Sequence, residues 1–140
     1  MRQHVRAFLD TNVFLYAVGG HHPEREACRN LLLRIEEGSL DVTTSVEVVQ
    51  ELLFVLTRRR RRREALKLAN EVTSLFPNLL PVTREDMMIT LDLLQRYQHL
   101  TARDAIHVAT MLRNRIATII SVDADFDQVR EIHRVAPGSA

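Results

Sequence analysis

The chain has no tryptophan, a single cysteine, a single lysine and no long apolar run. With Cys28 alone no internal disulfide can form, which fits a reducing compartment. Cys28 falls within an amphipathic helical pattern and reads as packing. No stretch approaches the roughly 20 apolar residues needed to span a bilayer, and Met1 to Arg6 lacks the apolar stretch of a secretory signal. A cytoplasmic protein without membrane contact is expected. Without tryptophan, and with two tyrosines and five phenylalanines, the chain is poorly supplied with stacking platforms for bases.

What is present describes a globular protein. The 140 residues are 46% apolar and 26% charged, which predicts one soluble domain over 1–140 with a real core. A net charge of +1 says nothing about partners, but its distribution does. Arg58, Arg59, Arg60, Arg61, Arg62 and Arg63 form an unbroken cationic run, and Asp123, Asp125 and Asp127 lie close together far from it.

Strand-like and helix-like segments alternate. Val5 to Leu9 reads as a buried strand, Asn12 to Val18 as a helix, and Gly19-Gly20-His21-His22-Pro23 as a break. Pro23 then opens a helix carrying Ala27, Leu31, Leu32 and Ile35, which stops near Gly38. Leu40 to Thr44 is a second strand, and Ser45 caps the helix after it. That helix, Val46 to Leu56, is apolar over most of its circumference, interrupted by one polar stripe of Glu47, Gln50 and Glu51. Such a helix should be buried on several sides. Phe54 falls within the stripe, which predicts a protein–protein contact. Glu64 to Leu75 forms the next helix, Leu79 to Val82 a third strand, and Thr83 with Asp86 has capping-box spacing. Thr101 and Asp104 repeat that spacing. Thr118 to Val122 is a fourth strand, and Arg134 to Val135 an edge strand. Together these predict an α/β protein, a three-layer α/β/α sandwich around a mostly parallel sheet of four to five strands. Function in such sheets gathers at the carboxyl ends of the strands.

Four acids far apart in the chain have positions to match. Asp10 ends the first strand, Asp104 opens a helix, Asp123 follows Thr118 to Val122, and Glu51 sits within the apolar helix. Each has an ordinary explanation. Asp10 can be an N-cap, Asp104 part of a capping box, and Asp123 and Asp125 turn residues. Glu51 is harder to dismiss, because a buried carboxylate needs a compensating partner. Gathered on one sheet edge, the four would repel unless a hard divalent cation joined them. His107, one turn beyond Asp104, reads more readily as a packed or partly exposed histidine than as a group supporting the site.

The ordered set Leu9-Asp10-Thr11-Asn12-Val13, Ser45 with Glu51-Leu52, Arg103-Asp104-Ala105-Ile106-His107-Val108-Ala109 and Ser121-Val122-Asp123-Ala124-Asp125-Phe126-Asp127 resembles the PIN-domain ribonucleases, most closely the VapC-type toxins of toxin–antitoxin pairs. The resemblance implies a metal-dependent endoribonuclease whose catalytic and metal-binding acids match Asp10, Glu51, Asp104 and Asp123. Asn12 and Ser121 match accompanying polar residues, with Asp125 as an auxiliary acid. Mg²⁺ or Mn²⁺ would sit on Asp10 and Asp104, while Glu51 and Asp123 bind a second ion or orient water. The implied products carry a 5′-phosphate and a 3′-hydroxyl. A homodimer and a cognate antitoxin, laying an apolar helix in a groove and sending a basic residue toward the acids, are implied as well.

The six arginines suit phosphate contacts with an RNA substrate. Rival classes fare worse. A phosphatase of the haloacid dehalogenase type needs a second aspartate where Asn12 stands, and a receiver domain needs a lysine after a late strand, whereas Lys67 lies in a helix. A housekeeping RNA-processing nuclease and a non-catalytic metal- or partner-binding module remain as alternatives.

Overall fold

The structure, a computed structural model, describes residues 6–140. Four strands form one sheet: β1 (Ala7–Leu9), β2 (Val42–Thr43), β3 (Thr118–Ile120) and β4 (His133–Val135), in the order β2-β1-β3-β4. Every pairing is parallel, with Ala7 opposite Val42 and Thr118, and Ile120 opposite Val135. The expected start of the first strand at Val5 lies outside the described residues.

Parallel neighbours need long crossovers, and six helices supply most of that length. α1 (Thr11–Val18) and α2 (Arg25–Glu36) lead from β1 to β2, while α3 (Val46–Arg58), α4 (Arg62–Leu75), α5 (Arg84–Arg96) and α6 (Ala102–Arg113) lead from β2 to β3. A short 3₁₀ turn, Ala124–Gln128, precedes β4. The helices flank the sheet in the expected three-layer arrangement. Phe8, Leu9, Val13, Leu52, Val108 and Ile119 are wholly buried between the layers. Cys28 is buried with them, and burial, then the charge of Glu24, pushes its thiol up to about 11. It is an inert packing group.

Local chemistry sets where the helices begin and end. Side chains of Asp10, Ser45, Thr83 and Thr101 cap α1, α3, α5 and α6 by accepting backbone N–H bonds. Asp86 completes a reciprocal box with Thr83 and also pairs with Arg113, tying α5 to α6. Three helices stop in the same way. In α2, α3 and α6 the chain turns left-handed at Gly38, Arg60 and Arg115, with φ of 74°, 59° and 58°. At each, the next amide reaches back five residues: Ser39 to Arg34, Arg61 to Leu56, and Ile116 to Met111.

Four local expectations change. Leu79 to Val82 contributes only an isolated parallel bridge between Ser45 and Leu80, since α3 begins at Val46 and the partner strand ends there. α2 starts at Arg25 rather than Pro23, because the Glu24 amide donates to His22 Nδ1 and the Arg25 amide to the His22 carbonyl, making a separate turn. α4 begins at Arg62, inside the arginine run. α3 buries one stripe, Val48, Leu52 and Leu56, and leaves Val46 43% and Phe54 37% exposed.

Candidate active site

Four acidic residues line one cavity of about 140 Å³: Asp10, Glu51, Asp104 and Asp123, with Thr11, Asn12, Leu15 and Val55 completing the wall. The fold brings them there from four elements. Asp10 leaves the carboxyl end of β1, where its amide donates to the Ile120 carbonyl at 3.1 Å. Asp123 follows β3, Glu51 is in the middle of α3, and Asp104 is in the first turn of α6.

The ordinary explanations hold for some of these acids and fail for others. Asp10 is the N-cap of α1, its Oδ1 accepting the Thr11 amide at 2.8 Å, but capping does not account for its other oxygen, which accepts from Ser121 Oγ. Asp123 caps the 3₁₀ turn, taking the Asp125 amide at 2.9 Å. Asp104 gives its amide to Thr101 Oγ1 but makes no reciprocal bond to the Thr101 amide. Only half the expected capping box forms, and the carboxylate stays available to the cavity.

Ser121, buried behind the acids, holds the arrangement together. Its hydroxyl donates to Asp10 Oδ2 at 2.6 Å and accepts from Asn12 Nδ2 at 3.1 Å and from the Asp123 amide at 3.0 Å. Asn12 Oδ1 accepts the Val122 amide in turn. Both small polar residues therefore position acids. Asp125 is exposed and does not line the cavity; its amide serves Asp123 and its carbonyl faces His99 Nε2.

His107 is packed, as expected, and it also stands beside two of the acids. It is fully buried beside Phe8, with Nε2 3.5 Å from Glu51 Oε2 and 3.8 Å from Asp10 Oδ1. Among the described residues neither ring nitrogen has a hydrogen-bond partner, and neither does buried Thr11 Oγ1. Glu47, one turn before Glu51, is a fifth acid within electrostatic reach, coupled to His107, Glu51 and Arg103. The i, i+4 spacing of Glu47 and Glu51 was the available signal for it.

The electrostatics are those of a crowded anionic site. Burial raises the Asp10 carboxyl above its ordinary range, against the pull of His107 and the bonds from Ser121 and Thr11. Asp104 is pushed up to about 6, by burial first and by repulsion from Asp10 second. Burial also works to raise Glu51, but its nearness to His107 and Thr11 and the charge of Arg103 bring it below the ordinary value. Burial disfavours charge on His107, yet Glu51, Asp10 and Asp104 together hold its pKa above the usual one.

These residues fit a hard divalent cation. Single atoms from Asp10, Glu51 and His107 lie within 4.8 Å of one another, the imidazole nitrogen being a donor only in its neutral form. Asp104 and Asp123 add further carboxylate oxygens to the wall, the ligands Mg²⁺ and Mn²⁺ prefer. The unbonded polar atoms of Thr11 and His107 beside this cluster are what a site shaped around a further charged group leaves behind.

Beside the acids runs a second, wider concavity of about 490 Å³ lined by Glu51, Thr101, Ala102, Arg103 and Asp104. At its rim the Arg103 guanidinium lies 4.0 Å over the Phe54 ring, and Arg58 lies 5.4 Å from it. Phe54 is thus exposed but not bare. The six arginines are all exposed and form no ion pair with a carboxylate among the described residues. The left-handed turn at Arg60 splits the run between two helices, so it fans out rather than forming one stripe.

Comparison with known proteins shows a family and a shared fold. The PIN domain family profile matches residues 7–132. The VapC ribonuclease Mb1869c of Mycobacterium bovis is 33% identical over 128 residues, covering 91% of this chain and 98% of that protein. Among solved structures, VapC20 of Mycobacterium tuberculosis, a sarcin–ricin loop cleaving toxin, superposes with a TM-score of 0.74 at 21% identity, covering 89% of this chain and 95% of that one. VapBC2 from Rickettsia felis, bound to a DNA fragment from its promoter, gives 0.71 at 14% identity, covering 94% and 98%.

Proposed function

This chain belongs to the PIN domain family, and from that premise we propose that it is a single-domain, metal-dependent endoribonuclease, the toxin of a toxin–antitoxin pair acting in the cytoplasm. The observation that carries the proposal is the convergence of Asp10, Glu51, Asp104 and Asp123 on one cavity at the carboxyl edge of a parallel sheet.

Asp10, Asp104, Glu51 and Asp123 would hold Mg²⁺ or Mn²⁺. When bound, such an ion offsets charge developing on the scissile phosphate and makes a nearby water easier to deprotonate. The protein's own part is positioning and charge control. Ser121 and Asn12 lock Asp10 and the start of the Asp123 turn in place. Glu51 stays ionised, so it can accept a hydrogen bond from an attacking water and aim it. Without metal, Asp10 and Glu51 favour the protonated form of the His107 imidazole behind them, against the cost of burying that charge, and a proton there eases their mutual repulsion. No side-chain nucleophile is called for: Cys28 is buried, with a raised thiol pKa.

Arg58 through Arg63 would hold phosphates of the RNA on either side of the cavity, with Arg103 at the rim. Partner binding follows the same logic. The relative named VapC ribonuclease and the VapBC2 structure support a cognate antitoxin. Val46 and Phe54 offer the apolar surface on which its helix could lie. A homodimer completes the proposal. No helix among the described residues is long and apolar enough to cross a membrane.

The test is incubation of the purified protein with mixed RNA and Mn²⁺ beside an EDTA control. Wild type should cleave only with metal. Asp10→Asn and Asp104→Asn, which remove a charge with little change in volume, should lose cleavage while keeping a native circular dichroism spectrum. Cleavage that survives both substitutions contradicts the proposal.

A further inference from the structure

Next to the acids lies a third cavity, whose aromatic wall the catalytic reading does not use. It measures about 280 Å³ and is lined by Asn12, Leu15, Tyr16, Gly19, Gly20, His21, His22 and Arg59. Asn12 and Leu15 also line the acid cavity, so the two share a wall. Resting on the ribonuclease proposal, we infer that this cavity is a nucleobase subsite, seating a nucleotide next to the scissile phosphate on the Tyr16–His22 stack.

Aromatic geometry is the first support. The Tyr16 and His22 rings are stacked, with centroids 4.2 Å apart and planes 26° from parallel. This pair is built before any ligand arrives. Tyr16 is partly buried against the core, and the Glu24 amide bonds to His22 Nδ1 at 3.1 Å, which fixes the imidazole's rotation. Rings this close admit nothing between them. A base would lie on the exposed outer side of His22 and lengthen the pile. Bases of every kind stack on such platforms, and a platform already in place spares the ordering cost of binding.

The walls supply the rest of what a nucleotide needs. Arg59 places a guanidinium at the cavity, whereas the catalytic cavity next door is acidic. Phosphate is thereby attracted on one side of the shared wall and the cation on the other. Gly20 leaves open space where a side chain would stand, so its peptide groups are accessible to the edge of a base. Gly19 passes so close to the Leu15 carbonyl that a Cβ there would sit 2.9 Å from it, which makes the tight turn behind the cavity specific to glycine. The volume is just under the roughly 300–1,000 Å³ of ordinary small-molecule sites, a scale that suits one base rather than a larger ligand.

Two linked measurements test the inference. In the first, Tyr16 and His22 ring signals are followed by ¹H–¹³C NMR in EDTA as each of the four nucleoside 5′-monophosphates is added, with ribose 5-phosphate as the base-less control. Saturable ring-current shifts at both residues are expected from nucleotides and not from ribose 5-phosphate. His22→Ala should weaken the effect by about 10-fold, the order expected for losing one stacking partner, while Tyr16→Phe, which keeps the ring, should leave it in place. In the second, cut ends from a randomised RNA pool are sequenced. Wild type should favour particular bases at one position beside the cut, and His22→Ala should flatten that preference. Absent shifts, shifts of equal size with ribose 5-phosphate, or an unchanged preference in His22→Ala each overturn the subsite; absent shifts would instead suit a protein side chain in the cavity. A protein that binds mononucleotides here yet cuts no RNA keeps the subsite and sinks the ribonuclease proposal.

Discussion

Ser121 has one hydroxyl, and three neighbours use it: Asp10, Asn12 and the Asp123 amide. That economy places two acids from different strands in one geometry. It also packs their charges together, and the consequence is a definite pH response. Asp10, Asp104 and His107 all hold protons more tightly when folded, Asp104 up to about 6. A group whose folded pKa is raised stabilises the protein at low pH and loses that contribution as pH climbs through the folded value. Glu51 runs the other way, but its change falls below its ordinary value near 4.5. In EDTA the protein should therefore melt at a higher temperature at pH 5 than at pH 7, and Mn²⁺ should bind more weakly at pH 5, because it must displace those protons. A melting temperature that is flat or rises over that window contradicts this. Asp10, Glu51, Asp104 and Asp123 were legible in the sequence because each sits at a junction or in an apolar setting. His107 and Glu47 were not, because a histidine on a helix and an acid in a polar stripe have ordinary explanations until the neighbouring element is in place.

At the level of elements, the way helices end accounts for what periodicity could not reveal. α2 stops at Gly38, which suits the left-handed turn, but α3 and α6 stop at Arg60 and Arg115 in the same conformation. Nothing in a run of six arginines announces a reversal of direction within it, so the run read as one patch. The strand expected at Leu79 to Val82 reduced to a bridge because its partner turns into α3 at Val46, which the apolar content of the segment itself does not announce. A side chain at positive φ is costly, and Arg115 is exposed and away from the acids. Arg115→Gly should stabilise the protein by about 1 kcal/mol, a rise of roughly 3 °C in Tm by thermal denaturation. A fall would mean that the arginine side chain makes a compensating contact. The fanned arginines make a second prediction. Replacing Arg60, Arg62 and Arg63 with alanine should weaken RNA binding and reduce the slope of log affinity against log salt by roughly 2. An unchanged slope would assign them to an acidic protein partner.

For the whole molecule, the decisive property is topology. β1 and β3 are far apart in the chain yet adjacent in the sheet, so Asp10 and Asp123 leave the same edge side by side. Two helices, α3 and α6, then deliver Glu51 and Asp104 over that edge. The alternation of strands and helices foretold this arrangement, since parallel pairing follows from crossover connections. What it could not foretell is the degree of burial, and burial is what turns four separate acids into one coupled site. Cleavage of this kind requires those acids to share a divalent ion. The most direct measurement is a Mn²⁺ titration, following free Mn²⁺ by electron paramagnetic resonance and Tm in parallel, for wild type, Asp10→Asn and Asp104→Asn. Wild type should bind Mn²⁺ and gain stability with its concentration, about 2.7 kcal/mol at 100-fold over Kd, and each substitution should weaken binding roughly 10-fold or more. Equal binding by all three proteins, or no binding by wild type, would contradict it.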